Sequence, residues 1–251
     1  MNKDKRYLII GGDLRNIKLA ESLKNDGVLV SVYGFDNADV EMRVQIAPDL
    51  KQAIDNADII IGPIPCSLDN ETINTSYNSE KIYLNEIFKA IGNKQIFIGG
   101  KISGKIAQMA QVYNVYTIDF LEREEMSVLN SIPTAEGAIQ IAMEKTQITL
   151  HGSDILVLGY GRIGKTLSKM LQGIGARVHV AARKYSDIAW IKSCGYVPVF
   201  FNELTEWVSK MEIIINTVPS LVVTSAVLEN VNKHCLIIDL ASKPGGVDLD
   251  V

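Results

Sequence analysis

The sequence predicts an α/β protein of two doubly wound parallel-sheet domains, the C-terminal one a Rossmann dinucleotide-binding domain, joined by a hinge helix. Three observations predict it. Short apolar runs alternate with amphipathic stretches along all 251 residues, the pattern of a parallel sheet covered on both faces. The fingerprint Gly159-Tyr160-Gly161-Arg162-Ile163-Gly164 follows the apolar run Ile155–Leu158 and opens a helical stretch. A sparser glycine turn, Gly11-Gly12-Asp13, follows the run Tyr7–Ile10. The expected organisation is a substrate or partner domain over 1–130, a hinge over 131–150 and a Rossmann domain over 151–251.

In the first half, Tyr7–Ile10 reads as a strand, Leu14–Asp26 as a helix and Val28–Tyr33 as the next strand. Leu50–Asn56 is a short helix, Asp58–Ile61 a strand closed by Gly62-Pro63-Ile64-Pro65, and Leu84–Ile91 a helix. Gln95–Ile98, the turn Gly99-Gly100, the helix Ser103–Tyr113 and the strand Val115–Ile118 complete a small sheet. Ser67–Lys81 is polar without a period and reads as a mobile loop near the strand ends. The Gly11-Gly12-Asp13 turn makes a poor second nucleotide site, because Arg15 and Asn16 follow where a small residue would let the helix approach. It is either a plain turn or a place where Asp13 and Arg15 meet a substrate, since ligands of such sheets bind beyond the carboxyl ends of the strands. Lys101, directly after Gly99-Gly100, is a third candidate there; its plainer reading is a solvated lysine at a helix start.

Pro133 suits the first turn of a helix with Ser131 or Thr134 as cap and Ala138–Lys145 as body. Such a start, facing a cleft between domains, suits a carboxylate; an ordinary capped hinge is the alternative. The second sheet then runs from Ile155–Leu158 through a helix with Ile163, Leu167, Met170 and Leu171 on one face to the strand from Arg177 to Arg183. Tyr185–Cys194 reads as a helix, Val197–Phe200 as a strand, Asn202–Ser209 as a helix and Ile213–Asn216 as a strand. A helix near Ser225–Glu229 leads to the last strand, Cys235–Leu240.

The fingerprint glycines have separate tasks. Gly159 permits a tight turn, Gly161 lets backbone approach a pyrophosphate, and Gly164 lets the helix pack against the strand. Amides at the start of that helix, within Tyr160–Gly164, then face the phosphates. NAD-binding folds place a carboxylate after the second strand for the ribose 2′-hydroxyl. Here Arg183 and Lys184 stand there, followed by Tyr185 and Ser186, which favours the 2′-phosphate of NADP over NAD. The strand ends Asn216-Thr217-Val218-Pro219 and Ala241-Ser242-Lys243 lie where a nicotinamide and its ribose would sit, with Asn216, Thr217 and Ser242 as hydrogen-bonding candidates.

Net charge is −4 with acids and bases interspersed, which argues against a nucleic-acid binder. No apolar run is long enough for a membrane span. The start, Met1-Asn-Lys-Asp-Lys-Arg, lacks the apolar core of a signal peptide. Cys66, Cys194 and Cys235 are far apart and read as thiols in a reducing cytosol. His151, His179 and His234 are isolated, so no metal site is expected.

Seven segments carry a family resemblance: Ile10-Gly-Gly-Asp-x-Arg15, Asn130-Ser-Ile-Pro-Thr-x-Glu-Gly137, Ile148-Thr-Leu-His-Gly-Ser153, Val157-Leu-Gly-Tyr-Gly-Arg-Ile-Gly164, Ala181-Ala-Arg183, Ile215-Asn-Thr-Val-Pro-Ser220 and Ile238-Asp-Leu-Ala-Ser-Lys-Pro-Gly-Gly246. Together they resemble the A-subunit family of dipicolinate synthases over essentially the whole chain. The resemblance implies an NADP-dependent enzyme of spore formation, in the mother-cell cytoplasm. It would oxidise a dihydrodipicolinate-type lysine-pathway intermediate to pyridine-2,6-dicarboxylate, beside a flavoprotein-like B-subunit of dipicolinate synthase and with a homo-oligomer open. Family members continue past the Pro-Gly-Gly, whereas this chain stops at Val251, so the coenzyme domain is expected to be shortened. Two carboxylates on the substrate call for cations or oriented amides: Arg15, Lys101 and the Ser131–Thr134 helix start. No histidine–carboxylate pair offers a catalytic base; Lys243 and Asp13 are weak substitutes. The rivals are a nucleotide-binding scaffold without chemistry of its own and another two-domain dehydrogenase of amino or keto acids.

Overall fold

Every strand ladder among the described residues is parallel. The computed structural model describes residues 4–38, 44–242 and 245–248. The chain divides into two units, Met1–Glu124 and Glu125–Val251.

The first unit contains β1 (Arg6–Ile10), α1 (Leu14–Asn25), β2 (Leu29–Tyr33), β3 (Gln45–Ile46), α2 (Leu50–Asp55), β4 (Ile59–Ile61), α3 (Leu84–Ala90), β5 (Ile96–Gly99), α4 (Gly104–Val112) and β6 (Tyr116–Asp119). Its sheet order is β3-β2-β1-β4-β5-β6, the doubly wound order that reverses direction beside the first strand. Alternate residues of β1 serve opposite faces. Leu8 and Ile10 pack under α2, α3 and α4, while Tyr7 and Ile9 pack under α1. Each such fully buried aliphatic side chain contributes about 1.5–3 kcal/mol.

The second unit begins with α5 (Glu124–Lys145), then β7 (Asp154–Leu158), α6 (Arg162–Ile174), β8 (Arg177–Ala182), α7 (Tyr185–Ser193), β9 (Val197–Phe200), α8 (Leu204–Trp207), β10 (Ile213–Asn216), α9 (Ser225–Leu228) and β11 (Leu236–Asp239). The order β11-β10-β7-β8-β9 repeats the same winding. Ile155 and Val157 face α5 and α6, and Leu156 and Leu158 face the core beside α8 and α9. The long α6 starts at Gly161 and is ended by Gly175, whose φ of +93° closes the helix in a left-handed cap.

Two expectations need correction. The hinge helix is 22 residues long and holds Pro133 in its interior. Ser131 and Thr134 therefore cap nothing. Ser131 Oγ donates to the Val128 carbonyl at 2.6 Å and bonds Thr166 Oγ1 at 2.7 Å, and Thr134 Oγ1 donates to the Asn130 carbonyl at 3.0 Å. With their hydroxyls tied to the helix and its neighbour, the case for a carboxylate site at a helix start falls. The second correction concerns Ser67–Lys81, which is built rather than loose. Asp69 accepts from the amides of Glu71 and Thr72 and the hydroxyls of Ser67 and Thr72. These donors, the Thr72 amide first, hold its carboxyl well below the ordinary carboxylate range.

Candidate coenzyme site

The turn from β7 into α6 separates the three glycine roles. Gly159 has φ +96°, a left-handed value that L side chains rarely adopt. A Cβ there would stand 2.7 Å from Thr217 Oγ1 and 2.9 Å from Val218 Cγ2. A Cβ on Gly164 would run into the carbonyl oxygen of Gly159, so helix and strand touch through bare backbone. At Gly161 an added Cβ would meet nothing within 4 Å. Gly161, the N-cap residue, brings no side chain to cap the first turn of α6. An open, uncapped helix start behind an absent side chain is the cradle a pyrophosphate needs, so the residues present fit a dinucleotide. The Tyr160 ring turns away, its hydroxyl donating to Cys194 Sγ at 3.6 Å and its face under Lys165 Nζ at 5.3 Å. Ile163 packs half-buried beside exposed Arg162.

Beyond β8, Arg183 is exposed and anchored on two sides. Its Nη2 lies 3.5 Å from Ser220 Oγ and its guanidinium 5.5 Å from the Phe201 ring centre. Lys184, also exposed, is the N-cap residue of α7. Ser220 and Phe201 were not legible as partners, because they come from the loops after β10 and β9 and only the fold brings them to this corner.

At the ends of β10 and β11 the candidates separate by burial. Asn216 is fully buried. Its Nδ2 donates to Asp239 Oδ1 at 2.9 Å and to the Val218 carbonyl at 3.1 Å, while Oδ1 accepts the Val218 amide at 3.0 Å. Every polar atom of its side chain is committed, so Asn216 is a stitch between strand ends and not a coenzyme ligand. Asp239 completes the stitch by accepting the amides of Ala241 and Gly246. Gly246 lies so tightly over Asn216 and the Val218 carbonyl that no Cβ fits there. Thr217 Oγ1 donates to the Leu158 carbonyl at 2.8 Å and keeps its lone pairs. Pro219 and Ser242 are exposed at this edge, with Val218 half-buried. Lys243 lies outside the described residues.

The first unit carries a different set at the carboxyl edge of its sheet. The amide of Gly12 donates to the Asn74 carbonyl at 2.9 Å and its carbonyl accepts from the Ser76 amide at 3.0 Å. Loop backbone thus fills the notch that the winding would offer a nucleotide, which supports the sequence reading against a second nucleotide site. Asp13 takes Arg15 Nε at 3.0 Å and Nη2 at 2.8 Å, and Nη2 also donates to the Ile64 carbonyl at 2.8 Å. The fork holds the Asp13 carboxyl below its usual range and raises the guanidinium. Lys101 is exposed and left-handed, with φ +57°.

A histidine–carboxylate pair does exist, at the wrong edge. His179 Nε2 lies 3.0 Å from Asp154 Oδ1, and Arg177 clasps the same carboxylate through Nε and Nη2. The Arg177 guanidinium, and after it His179, hold the Asp154 carboxyl down at about 2. Asp154 opens β7 and Arg177 opens β8, so the cluster sits at the amino edge of the sheet, opposite the fingerprint. Among the described residues no helix is long and apolar enough to cross a membrane.

Fold and turn together define a two-unit α/β protein whose second unit has a dehydrogenase-type NAD-binding domain. A family model for the NAD-binding domain of D-isomer-specific 2-hydroxyacid dehydrogenases matches residues 130–241. One for the N-terminal domain of the dipicolinate synthase A-subunit matches residues 6–121. The chain is 32% identical to the dipicolinate synthase A-subunit of Bacillus subtilis (strain 168), covering 97% of this chain and 82% of that one. The crystal structure of the Bacillus halodurans A-subunit superposes with a TM-score of 0.90 at 32% identity, covering all of this chain and 86% of that one. The Bacillus subtilis structure gives 0.87 at 30% identity, covering all of this chain and 85% of that one. The chain belongs to the dipicolinate synthase A-subunit family.

Proposed function

We propose that the protein is an NADP-dependent oxidoreductase that oxidises a dihydrodipicolinate-type dicarboxylate to dipicolinate during spore formation, in the cytoplasm and together with a second, B-type subunit. The uncapped, side-chain-free start of α6 beside the exposed Arg183 carries the reading. Bound there, the coenzyme supplies the hydride acceptor for a ring that becomes aromatic on losing two hydrogens. The amides of the first turn of α6 bind pyrophosphate. Arg183, held by Ser220 and Phe201, meets a 2′-phosphate with a delocalised cation where an NAD enzyme would carry an acid. Thr217, Val218, Pro219 and Ser242 line the strand ends beyond. In the first unit Arg15, oriented by Asp13, and Lys101 are the groups for the substrate carboxylates.

The placement of the histidines favours a reaction shared between two chains. His179 is bonded at the amino edge, and His151 lies against Gly175 at the far end of α6. His234 precedes β11. None stands at the carboxyl edge of its sheet, so the ring proton passes to a base of the second subunit or to solvent water, with the gain of aromaticity lowering the barrier. The alternative that this chain is a nucleotide-binding scaffold rests on the same observation.

One assay separates them. The full chain, with and without its second subunit, is mixed with the dihydro-dicarboxylate and NADP while NADPH absorbance is followed. Formation of NADPH in step with dipicolinate is expected. Dipicolinate without NADPH would remove hydride transfer from this chain. Arg183→Asp should weaken NADP at least tenfold more than NAD; equal losses would remove the 2′-phosphate argument.

A further inference from the structure

We propose that Asp119 is a positioning residue for Lys101, and that the anchored pair Lys101 and Arg15 grips the two carboxylates of a pyridine-2,6-dicarboxylate-type ligand at the carboxyl edge of the first sheet. The inference rests on the reading that this chain acts on such a dicarboxylate. Lys101 follows two glycines, yet the left-handed position falls on the lysine, with φ +57°. A residue bearing a Cβ holds that conformation only where its surroundings impose it. The imposition comes from the end of β6. Asp119 Oδ1 accepts the Lys101 amide at 3.1 Å and Oδ2 accepts the Ile102 amide at 2.6 Å, with the Leu121 amide on Oδ1 at 2.9 Å. Asp119 thus grips the backbone of Lys101 and not its charge. Among the described residues no carboxylate pairs with the Lys101 ammonium.

Arg15 is anchored in the complementary way. Asp13 and the Ile64 carbonyl take its Nε and Nη2, and among the described residues Nη1 has no partner. Two N–H donors of a fixed guanidinium therefore remain for an anion. Ile64 links the two segments. Arg15 bonds the Ile64 carbonyl, and a Cβ on Gly100, next to Lys101, would lie 2.7 Å from Ile64 Cγ1 and 3.1 Å from Phe120 Cζ. Arg15, Gly62, Ile64 and Phe120 border a cavity of about 100 Å³ with a mostly apolar lining. A second left-handed residue, Asn70 with φ +68°, accepts from the hydroxyl of Ser103, two positions after Lys101, at 2.5 Å. A fixed guanidinium and a lysine whose backbone is already set, beside an apolar floor, suit a flat ring with a carboxylate on either side, because the backbone ordering is done before the ligand binds.

Calorimetry on the full chain tests this, with pyridine-2,6-dicarboxylate as probe and pyridine-2-carboxylate as comparator. The wild type should prefer the dicarboxylate. Lys101→Gly suits the left-handed backbone, so Tm should hold or rise while dicarboxylate affinity falls at least tenfold, to the level of the monocarboxylate. Asp119→Asn should weaken the dicarboxylate in the parent chain and change nothing further in the Lys101→Gly background. Retained affinity in Lys101→Gly overturns the proposal. So does an Asp119→Asn loss of equal size with and without the lysine, which would mark a purely structural role. NADPH fluorescence on the same samples separates the two readings. Coenzyme binding without dicarboxylate binding sinks the grip alone, and dicarboxylate binding without coenzyme binding sinks the oxidoreductase reading alone.

Discussion

Gly161 and Gly164 sit three residues apart and should fail in opposite ways when given a methyl group. At Gly161 the protein leaves the space open, so Gly161→Ala should cost no more than about 1 kcal/mol in stability, the penalty of alanine at a helix N-cap, yet lower coenzyme affinity at least tenfold. At Gly164 the methyl meets the Gly159 carbonyl, so Gly164→Ala should cost about 1–3 kcal/mol and lose coenzyme as a consequence. Urea melts beside coenzyme titrations check both, and equal destabilisation would contradict the assignment of roles. Asp154 gives a prediction in pH. Its folded pKa of about 2 lies below the unfolded value of about 3.9. The stabilisation is therefore full above about pH 4 and lost as pH falls through 2. Arg177, the first of its partners, faces solvent, so the contribution is ~1 kcal/mol. Asp154→Asn should lose that much at pH 7 and converge with the wild type near pH 2 in denaturant melts. The turn at the fingerprint was legible in the sequence because glycine spacing dictates its backbone, and the exposure of Arg183 because a charge at a strand end stays in water. Asn216 was not: a buried stitch and an exposed strand-end ligand read alike until Gly246, thirty positions on, is seen to cover it.

At the scale of elements, the strands and most helices were readable because their apolar periods are local. The helix α5 shows where that ends. Pro133 fits a first turn, and nothing within a few residues says that the helix starts at Glu124. In the interior the proline removes one amide and leaves the Leu129 carbonyl without its usual donor. The side-chain bonds of Ser131 to Val128 and of Thr134 to Asn130 occupy the carbonyls on either side of that break. Pro133→Ala should therefore stabilise the chain by up to about 3 kcal/mol, read as a rise in Tm. A fall would mean that the proline fixes a bend the neighbouring packing requires. The segment Ser67–Lys81 escaped the sequence reading for another reason. Its order comes from side chains on backbone, Asp69 above all, and such bonds have no period.

At the scale of the whole molecule, both sheets are wound alike, yet among the described residues backbone fills the switch point at Gly12 and leaves the one at Gly161 open. The expected stoichiometry is one coenzyme per chain by calorimetry; two would show that the bridge at Gly12 yields. That bridge is a small thing, a single extended residue, Thr75, lying beside Gly12. On the proposed function its effect is to give two lobes of common architecture separate tasks: one keeps bare amides for phosphate, while the other, stoppered by its own polypeptide, offers side chains. Replacing the stopper with a short linker would expose a donor and an acceptor on Gly12 and turn a lobe that selects by charge toward one that cradles by shape.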